Sequence, residues 1–143
     1  MAFHVKVNGV DSFEFTKEVV TGVEYCIDTP GDSNARSKDM KGTAVITGKI
    51  LTGLDGAVVD QSIKASQWSL VTADKADAYR AFSVDVIAAG QVVRQVIFPS
   101  AFCVDYQEDL DDETGAGSFR MFVRQKKDKL AEIQINGGFA AAE

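Results

Sequence analysis

Apolar and polar residues alternate with a period of two along most of the chain, a pattern typical of β-strands with one buried face. The alternation is clear over Phe3–Val7 and again over Val23–Ile27. Strand-forming residues dominate each such segment, and Gly, Asn, Asp or Pro separates one segment from the next. The other predicted strands are Phe13–Phe15, Ala44–Leu51, Phe82–Ile87, Val92–Phe98, Ala101–Gln107, Phe119–Gln125 and Leu130–Ile135.

One segment departs from this alternation and predicts a helix over Asp60–Val71, with Asp60 as the N-cap. Trp68 is expected to anchor this helix in the core, and Phe102 and Tyr106 are expected to lie in the core as well. Residues 88–91 (AAGQ) predict a short hairpin connection. The predicted helix carries a thin apolar stripe, formed by residues at helical spacing: Ile63, Gln67, Trp68 and Val71.

Many short strands with one helix inserted midway predict a mainly β fold. We expect a β-barrel or sandwich of two sheets with one short helix on its side. The 143 residues fit a single domain over residues 1–143. A net charge of −6 disfavours nonspecific binding to nucleic acid or to anionic membranes. The N-terminus lacks a secretion-signal pattern, so we expect no membrane partner and assembly in the cytoplasm.

The stretch from Asp105 to Glu113 carries six acidic residues in nine and is followed by GAG and a basic segment. An EF-hand loop starting at Asp109 fails, because Thr114 occupies the glycine position and Arg120 the position of the bidentate glutamate. Strand patterns flank the run, which predicts a solvated hairpin tip. The basic residues that follow can pair with acids across the ladder or on another subunit. The candidates for inter-subunit charge pairs are Asp111, Asp112, Glu113, Arg120, Arg124 and Lys126.

The chain offers little for catalysis, so we expect no enzyme, no catalytic residues, no cofactor and no metal. His4 is the single histidine, and neither G-x-S-x-G nor H-E-x-x-H is present. Cys26 and Cys103 lack the spacing of a zinc site and predict buried free thiols. Carboxylate catalysis stays open, since any two of the 21 acidic residues can meet in the fold.

Three stretches together resemble a family of small bacterial proteins, common in Firmicutes, that is often labelled "membrane-associated protease". They are DTPGDSNARSKDMKGTAVITGKI, QWSLVTADKADAYR and VVRQVIFPSAFCVDYQEDLDDETGAGSFRMFVRQKKD. The resemblance covers nearly the whole chain, and no residue in it supports the protease label.

The order of elements is also similar to that of the tube proteins of contractile machines, namely phage tail-tube proteins and the type VI secretion tube protein, haemolysin-coregulated protein (Hcp). That resemblance implies six-membered rings that stack into a hollow tube, with a long polar loop reaching the adjacent ring. The matching segment is GDSNARSKDMK, residues 31–41. The residues expected in ring stacking are Asp32, Asn34, Arg36, Lys38 and Asp39.

The leading hypothesis is therefore a structural protein of a phage-tail-like particle or secretion system. Its expected partners are further copies of itself in a hexameric ring, and sheath or baseplate proteins of the particle. DNA is expected only as cargo of the lumen. Two alternatives stay open, a peptidase or other hydrolase as in the family label, and a monomeric binding module.

Overall fold

A computed structural model of the protein describes residues 1–28, 41–50, 61–113 and 117–138. These residues form eight strands and one α-helix. The strands are β1 (Ala2–Asn8), β2 (Phe13–Phe15), β3 (Val20–Asp28), β4 (Lys41–Lys49), β5 (Arg80–Ala88), β6 (Gln91–Leu110), β7 (Gly117–Gln125) and β8 (Gln134–Gly137). The helix α1 spans Ser62–Ser69, and two 3₁₀ segments span Ala76–Ala78 and Lys127–Glu132.

The eight strands belong to one antiparallel sheet with the order β2-β1-β5-β6-β7-β4-β3, and β8 pairs with β6. The prediction of a mainly β fold is confirmed. The two sheets of the prediction form one continuous sheet, because β6 is 20 residues long and joins both halves. Its first part pairs with β5 and its second part with β7. Among the described residues no ladder joins β2 to β3, so the sheet is not closed.

The core lies on one face of this sheet. Alternate residues of the strands point into it and are almost inaccessible to solvent, as their period of two predicts. Phe82, Phe98 and Phe119 are each at most 2% exposed. Other fully buried strand residues are Val5, Val7, Phe15, Ile46, Val84, Val96, Met121 and Val123.

Strand β6 continues through Pro99, where the sequence predicts a break between two strands. The register shifts there, so that Pro99 and Ser100 together face Ala81 of β5 in a β-bulge. A bulge accommodates proline because its missing N–H is not needed for the ladder. The buried side chain of Gln125 accepts a hydrogen bond from the Ser100 N–H at 3.0 Å, and the Lys126 N–H donates to the Ser100 carbonyl at 2.8 Å.

Helix α1 begins later than predicted, with Gln61 at the N-cap, while Asp60 lies outside the described residues. The helix is also rotated relative to the predicted stripe. Ser62, Ala65 and Trp68 face the core, whereas Ile63 is 58% exposed. Trp68 sets this orientation, because its indole N–H donates to the Ala78 carbonyl at 2.9 Å inside the core.

The C-terminal strand is shorter than the predicted Leu130–Ile135. A 3₁₀ segment occupies residues 127–132, and strand pairing begins only at Gln134. Leu130 and Ile133 lie three residues apart, which places them on one side of such a turn. Both lie close to Gly42 of β4, and a Cβ at position 42 would lie 2.5 Å from the Ile133 side chain. The apolar pair therefore covers the end of the core near the start of β4.

Both predicted hairpins are confirmed. Ala88 pairs with Gln91, and the two residues between them have positive φ angles, 53° at Ala89 and 74° at Gly90. Positive φ at both central positions is typical of a tight type I′ turn. At the other hairpin Leu110 pairs with Gly117, so the acidic run ends at the tip between β6 and β7.

Candidate assembly surfaces

The sheet leaves strand edges without a backbone partner in the described part of the chain. Strand β3 has nine residues and pairs only with β4. At the other end of the sheet β2 pairs only with β1. Away from both ends, β8 pairs only with the central strand β6. Unpaired strand edges are ready to bind another strand, and soluble proteins cover, charge or pair them. These edges are candidate contacts between copies of the chain.

The predicted charge-pair residues lie at different places along β7. Asp111, Asp112 and Glu113 are exposed at the hairpin tip before the strand begins. Arg120 lies opposite Gln107 on β6 and Thr47 on β4, so neither neighbouring strand offers it an acid directly opposite.

Arg124 lies opposite Phe102 on β6 and Thr43 on β4, and Lys126 follows the end of the strand. In register, the ladder therefore does not bring the basic residues opposite the acids of the tip.

Residues 31–40 of the polar loop predicted to stack rings lie outside the described residues, while Lys41, its predicted last residue, begins β4. The undescribed part includes Asp32, Asn34, Arg36, Lys38 and Asp39. Its flanks are described: Asp28 of β3 pairs directly with Lys41 of β4. Thr43, two residues further along β4, pairs with Arg124 of β7. The connection therefore starts and ends at the end of the sheet that holds Arg124, opposite to the acidic tip.

A cluster of aromatic and basic side chains occupies the outer face of the sheet at this same end. We call it the aromatic–basic cluster, and it consists of Tyr79, Phe102, Phe122, Arg124 and Lys126. The Arg124 guanidinium lies 5.8 Å from the centre of the Phe122 ring, and the Lys126 ammonium 4.9 Å from the centre of the Tyr79 ring. Tyr79 meets Phe102 edge to face at 6.1 Å. A cation is attracted to the face of an aromatic ring. Phe102 lies opposite Arg124 in the ladder, which places the two groups of contacts side by side on one surface.

The three residues expected to anchor the core have different surroundings. Trp68 is 1% exposed and belongs to the core. Tyr106 is half-buried against the core, and its hydroxyl donates to the Ser62 carbonyl at 3.2 Å. Phe102 instead packs on Tyr79, on the outer face. A bulge between Cys103 and Asp105 inserts Val104, so the residues before and after it do not keep one alternation.

The sequence pattern does not reveal the surroundings of three residues, namely Arg80, Gln125 and Tyr79. Arg80 and Gln125 are polar side chains buried within the core region, 5% and 1% exposed. Arg80 occupies an inward position at the start of β5, where the alternation alone predicts an apolar residue. Tyr79, on the outer face, contacts Phe102 and Lys126, and only the folded sheet brings these three residues together.

The single histidine lies on the outer face of β1, where its Nε2 lies 3.1 Å from Oε2 of Glu14. Within the described ranges this is the only side-chain hydrogen bond that His4 makes. The described residues include no group of three or more His, Cys, Asp or Glu side chains arranged to hold a metal ion. Among them there is also no helix long and apolar enough to cross a membrane.

The two cysteines are free thiols with unequal exposure. Cys26 is exposed on β3, contrary to the prediction that both are buried, because it points away from the core. Burial raises the pKa of the Cys103 thiol to about 11.

At pH 8 we therefore expect Cys103 to stay almost fully protonated and to react slowly with a thiol reagent such as 5,5′-dithiobis(2-nitrobenzoate). One thiol per native chain should react quickly, and Cys26→Ser should remove that fast phase. In denaturant both thiols should react together. Two equally fast thiols in the native protein would contradict the burial of Cys103.

Comparison with solved structures identifies the type of fold. No protein-family model matches the chain, and no curated protein matches its sequence. Solved structures do match. A structure of Hcp1 from Flavobacterium johnsoniae superposes with a TM-score of 0.59 at 15% identity, and the match covers 96% of this chain and 97% of that one. The chain thus has an Hcp-like fold, as its order of elements predicts.

Two further matches come from contractile particles. A chain of the anti-feeding prophage baseplate gives a TM-score of 0.56 at 12% identity, covering 95% of this chain and 93% of that one. A chain of the sheath-tube complex of PVC, an extracellular contractile injection system, gives 0.55 at 10% identity, covering 95% and 88%. At these identities the similarity establishes the fold. It does not support the protease label, which no comparison bears out.

Proposed function

We propose that the chain is a structural subunit that associates into rings, and that the rings stack into the hollow tube of a phage-tail-like contractile particle or secretion system. The observation that carries this proposal is the extent of the fold match. Structures of Hcp1 and of the two contractile particles match this chain over almost its whole length, and theirs as well. Residues 1–143 would then act as one domain.

The unpaired strand edges support the ring. A nine-residue edge such as that of β3 is a liability in a lone subunit, because it invites pairing with any other extended chain. When the edge of one copy meets a different edge of the next, the contact is head-to-tail, and such contacts form a ring when the rotation between copies closes. We propose six copies per ring, in keeping with the Hcp-like fold.

The charge distribution along β7 supports stacking. Acidic residues occupy the hairpin tip at one end of the strand, and Arg124 and Lys126 lie at the other. A copy stacked along the strand direction would bring opposite charges together, and such complementarity orients association. The connection from β3 to β4 begins and ends at the basic end of the sheet. We therefore propose that its residues also contact the adjacent ring, namely Asp32, Asn34, Arg36, Lys38 and Asp39.

Sheath and baseplate proteins of the same particle are the further partners that this role implies, with DNA only as cargo of the lumen. Assembly would take place in the cytoplasm before the particle is used. The structure brings no observation that favours the peptidase or the monomeric binding module over this role.

Light scattering coupled to size-exclusion chromatography tests the ring. We expect a species of about six chains of 15.4 kDa each, with larger species appearing as the concentration rises. Added salt should shift the larger species back to single rings, because contacts between exposed charges are screened. A protein that stays at the mass of one chain over the whole accessible concentration range would favour the binding module and contradict the proposal.

A further inference from the structure

The aromatic–basic cluster has the composition of a protein-binding surface. Interfaces are enriched in Tyr, Phe and Arg, and a few such residues carry most of the binding energy. Here Arg124 lies over Phe122, Lys126 lies over Tyr79, and Tyr79 packs against Phe102 on the outer face. This arrangement suits a partner that brings carboxylates.

The cations of the cluster are incompletely satisfied. The Nε atom of Arg124 is buried, yet it finds no hydrogen-bond acceptor among the described residues. A buried donor without an acceptor is unfavourable, particularly on a charged group. Lys126 has one acidic neighbour, Asp128, at 3.9 Å, and its side chain is 42% exposed. The Arg124 residue as a whole is only half-buried, so a carboxylate from another molecule can approach its terminal N–H groups and form charge-assisted hydrogen bonds there.

The acidic tip of the same chain cannot supply these carboxylates. Along β7, Ser118 pairs with Lys49 at the tip end, and Arg124 pairs with Thr43 at the other end. Six residues of extended strand separate Ser118 from Arg124, which amounts to about 20 Å. The tip therefore points away from the cluster of its own chain.

We propose that the aromatic–basic cluster of one copy binds the acidic tip, Asp111–Glu113, of the next copy along the strand direction. This inference rests on the proposed function, and it names the two surfaces that hold successive rings together. The tip residues are exposed, and they carry three carboxylates without an intervening basic residue. The cluster and the tip lie at opposite ends of the same sheet, so translation along the strands brings them face to face.

A second copy suits the cluster better than a foreign protein for a geometric reason. Each copy presents one cluster and one tip, so every contact in a stack repeats the same pair. Surfaces that are complementary but different form head-to-tail contacts, and without closure these extend indefinitely along one axis. A tube of stacked rings has this property along its length.

Charge-swap variants of the full-length protein test the inference. The first variant is Arg124→Glu/Lys126→Glu, and the second is Asp112→Lys/Glu113→Lys. Asp111 is kept, because its Oδ1 accepts a hydrogen bond from the Glu113 N–H at 3.0 Å and shapes the tip. We expect each variant to form rings by light scattering, while the fraction of protein sedimenting as tubes falls about tenfold. Combining both variants in one chain should restore tubes.

Lys75→Glu is the control for the charge change, because Lys75 is exposed in the turn before the Ala76–Ala78 segment and belongs to neither surface. It should leave the tube fraction unchanged. If the Glu variant of the cluster fails to fold by circular dichroism, Arg124→Gln/Lys126→Gln replaces it, with the same expected loss of tubes.

The outcomes separate this inference from the proposed function. Normal tubes in both charge-reversed variants, or no recovery in the combined variant, would overturn the assignment of the two surfaces while the tube itself stands. A tube fraction that falls equally with Lys75→Glu would also overturn it, because the effect would then follow net charge. An unmodified protein that never exceeds one chain in mass would overturn both.

Discussion

Replacing Arg80 with Ala should lower the free energy of unfolding by about 3 kcal/mol, the largest effect that we expect from a single polar side chain. The guanidinium is 5% exposed and connects three parts of the fold. Nη2 donates to Asp77 Oδ2 at 2.9 Å, and Nη1 donates to the Asp11 carbonyl at 3.2 Å. It also lies 5.5 Å from the centre of the Trp68 ring, so it holds α1 in place.

Thermal unfolding followed by circular dichroism measures this effect, and a loss of about 10 °C in Tm is expected. Arg80→Lys should recover only part of it, because an ammonium cannot reproduce the forked donors. Asp77→Asn is the matched control: its side chain is 32% exposed, so the loss should be about 1 kcal/mol. A Tm within about 2 °C of the unmodified protein for Arg80→Ala would show that this network contributes little.

Replacing Gly48 with Ala should destabilise the protein by about 3 kcal/mol, although Ala is small and apolar. A Cβ at this position of β4 would lie 2.6 Å from two atoms of the Phe119 ring and 2.9 Å from the Val19 carbonyl oxygen. The ring has little room to move, because Phe119 is 2% exposed and packs against Phe15 at 4.8 Å. The backbone oxygen cannot be displaced without shifting the turn before β3.

Gly22 of β3 provides the matched comparison, because no atom lies within 4 Å of a Cβ built there. Gly22→Ala should leave stability unchanged or raise it by about 0.5 kcal/mol, since alanine restricts the unfolded chain more than glycine does. Denaturation in urea measures both variants. Equal stability of Gly48→Ala and Gly22→Ala would contradict the close packing of β4 against Phe119.

Much of the fold follows from the sequence because period-two alternation reports directly on one buried face. Strands β1, β5 and β7 lie where the pattern places them. The pattern fails where a bulge changes the parity. Pro99 indicates a break, yet the ladder absorbs it in a bulge, and the inserted Val104 moves Phe102 to the outer face.

The helix shows a second limit. Its apolar residues are few, so spacing alone does not decide which side is buried. The indole of Trp68 requires a buried acceptor, and the Ala78 carbonyl provides one only when Ile63 points to solvent. That carbonyl lies ten residues away and is positioned by tertiary structure, so no local pattern reveals it.

The candidate assembly surfaces can be predicted from the sequence only in part. The acidic hairpin tip is evident from composition and flanking strand patterns. The aromatic–basic cluster is not, because Tyr79, Phe102 and Arg124 come from three separate segments that only strand pairing brings together. The choice between pairing across the ladder and pairing with another subunit likewise depends on register, which sequence alone leaves undetermined.

Electron microscopy of the purified protein at high concentration tests the central claim most directly. The account predicts round end views with a central hole, and side views of tubes with a regular axial repeat of one ring. Both views should come from the unmodified chain, and the charge-reversed variants should show the round views alone. Fields that contain only particles of the size of one 15.4 kDa chain, at every concentration and salt condition, would contradict it.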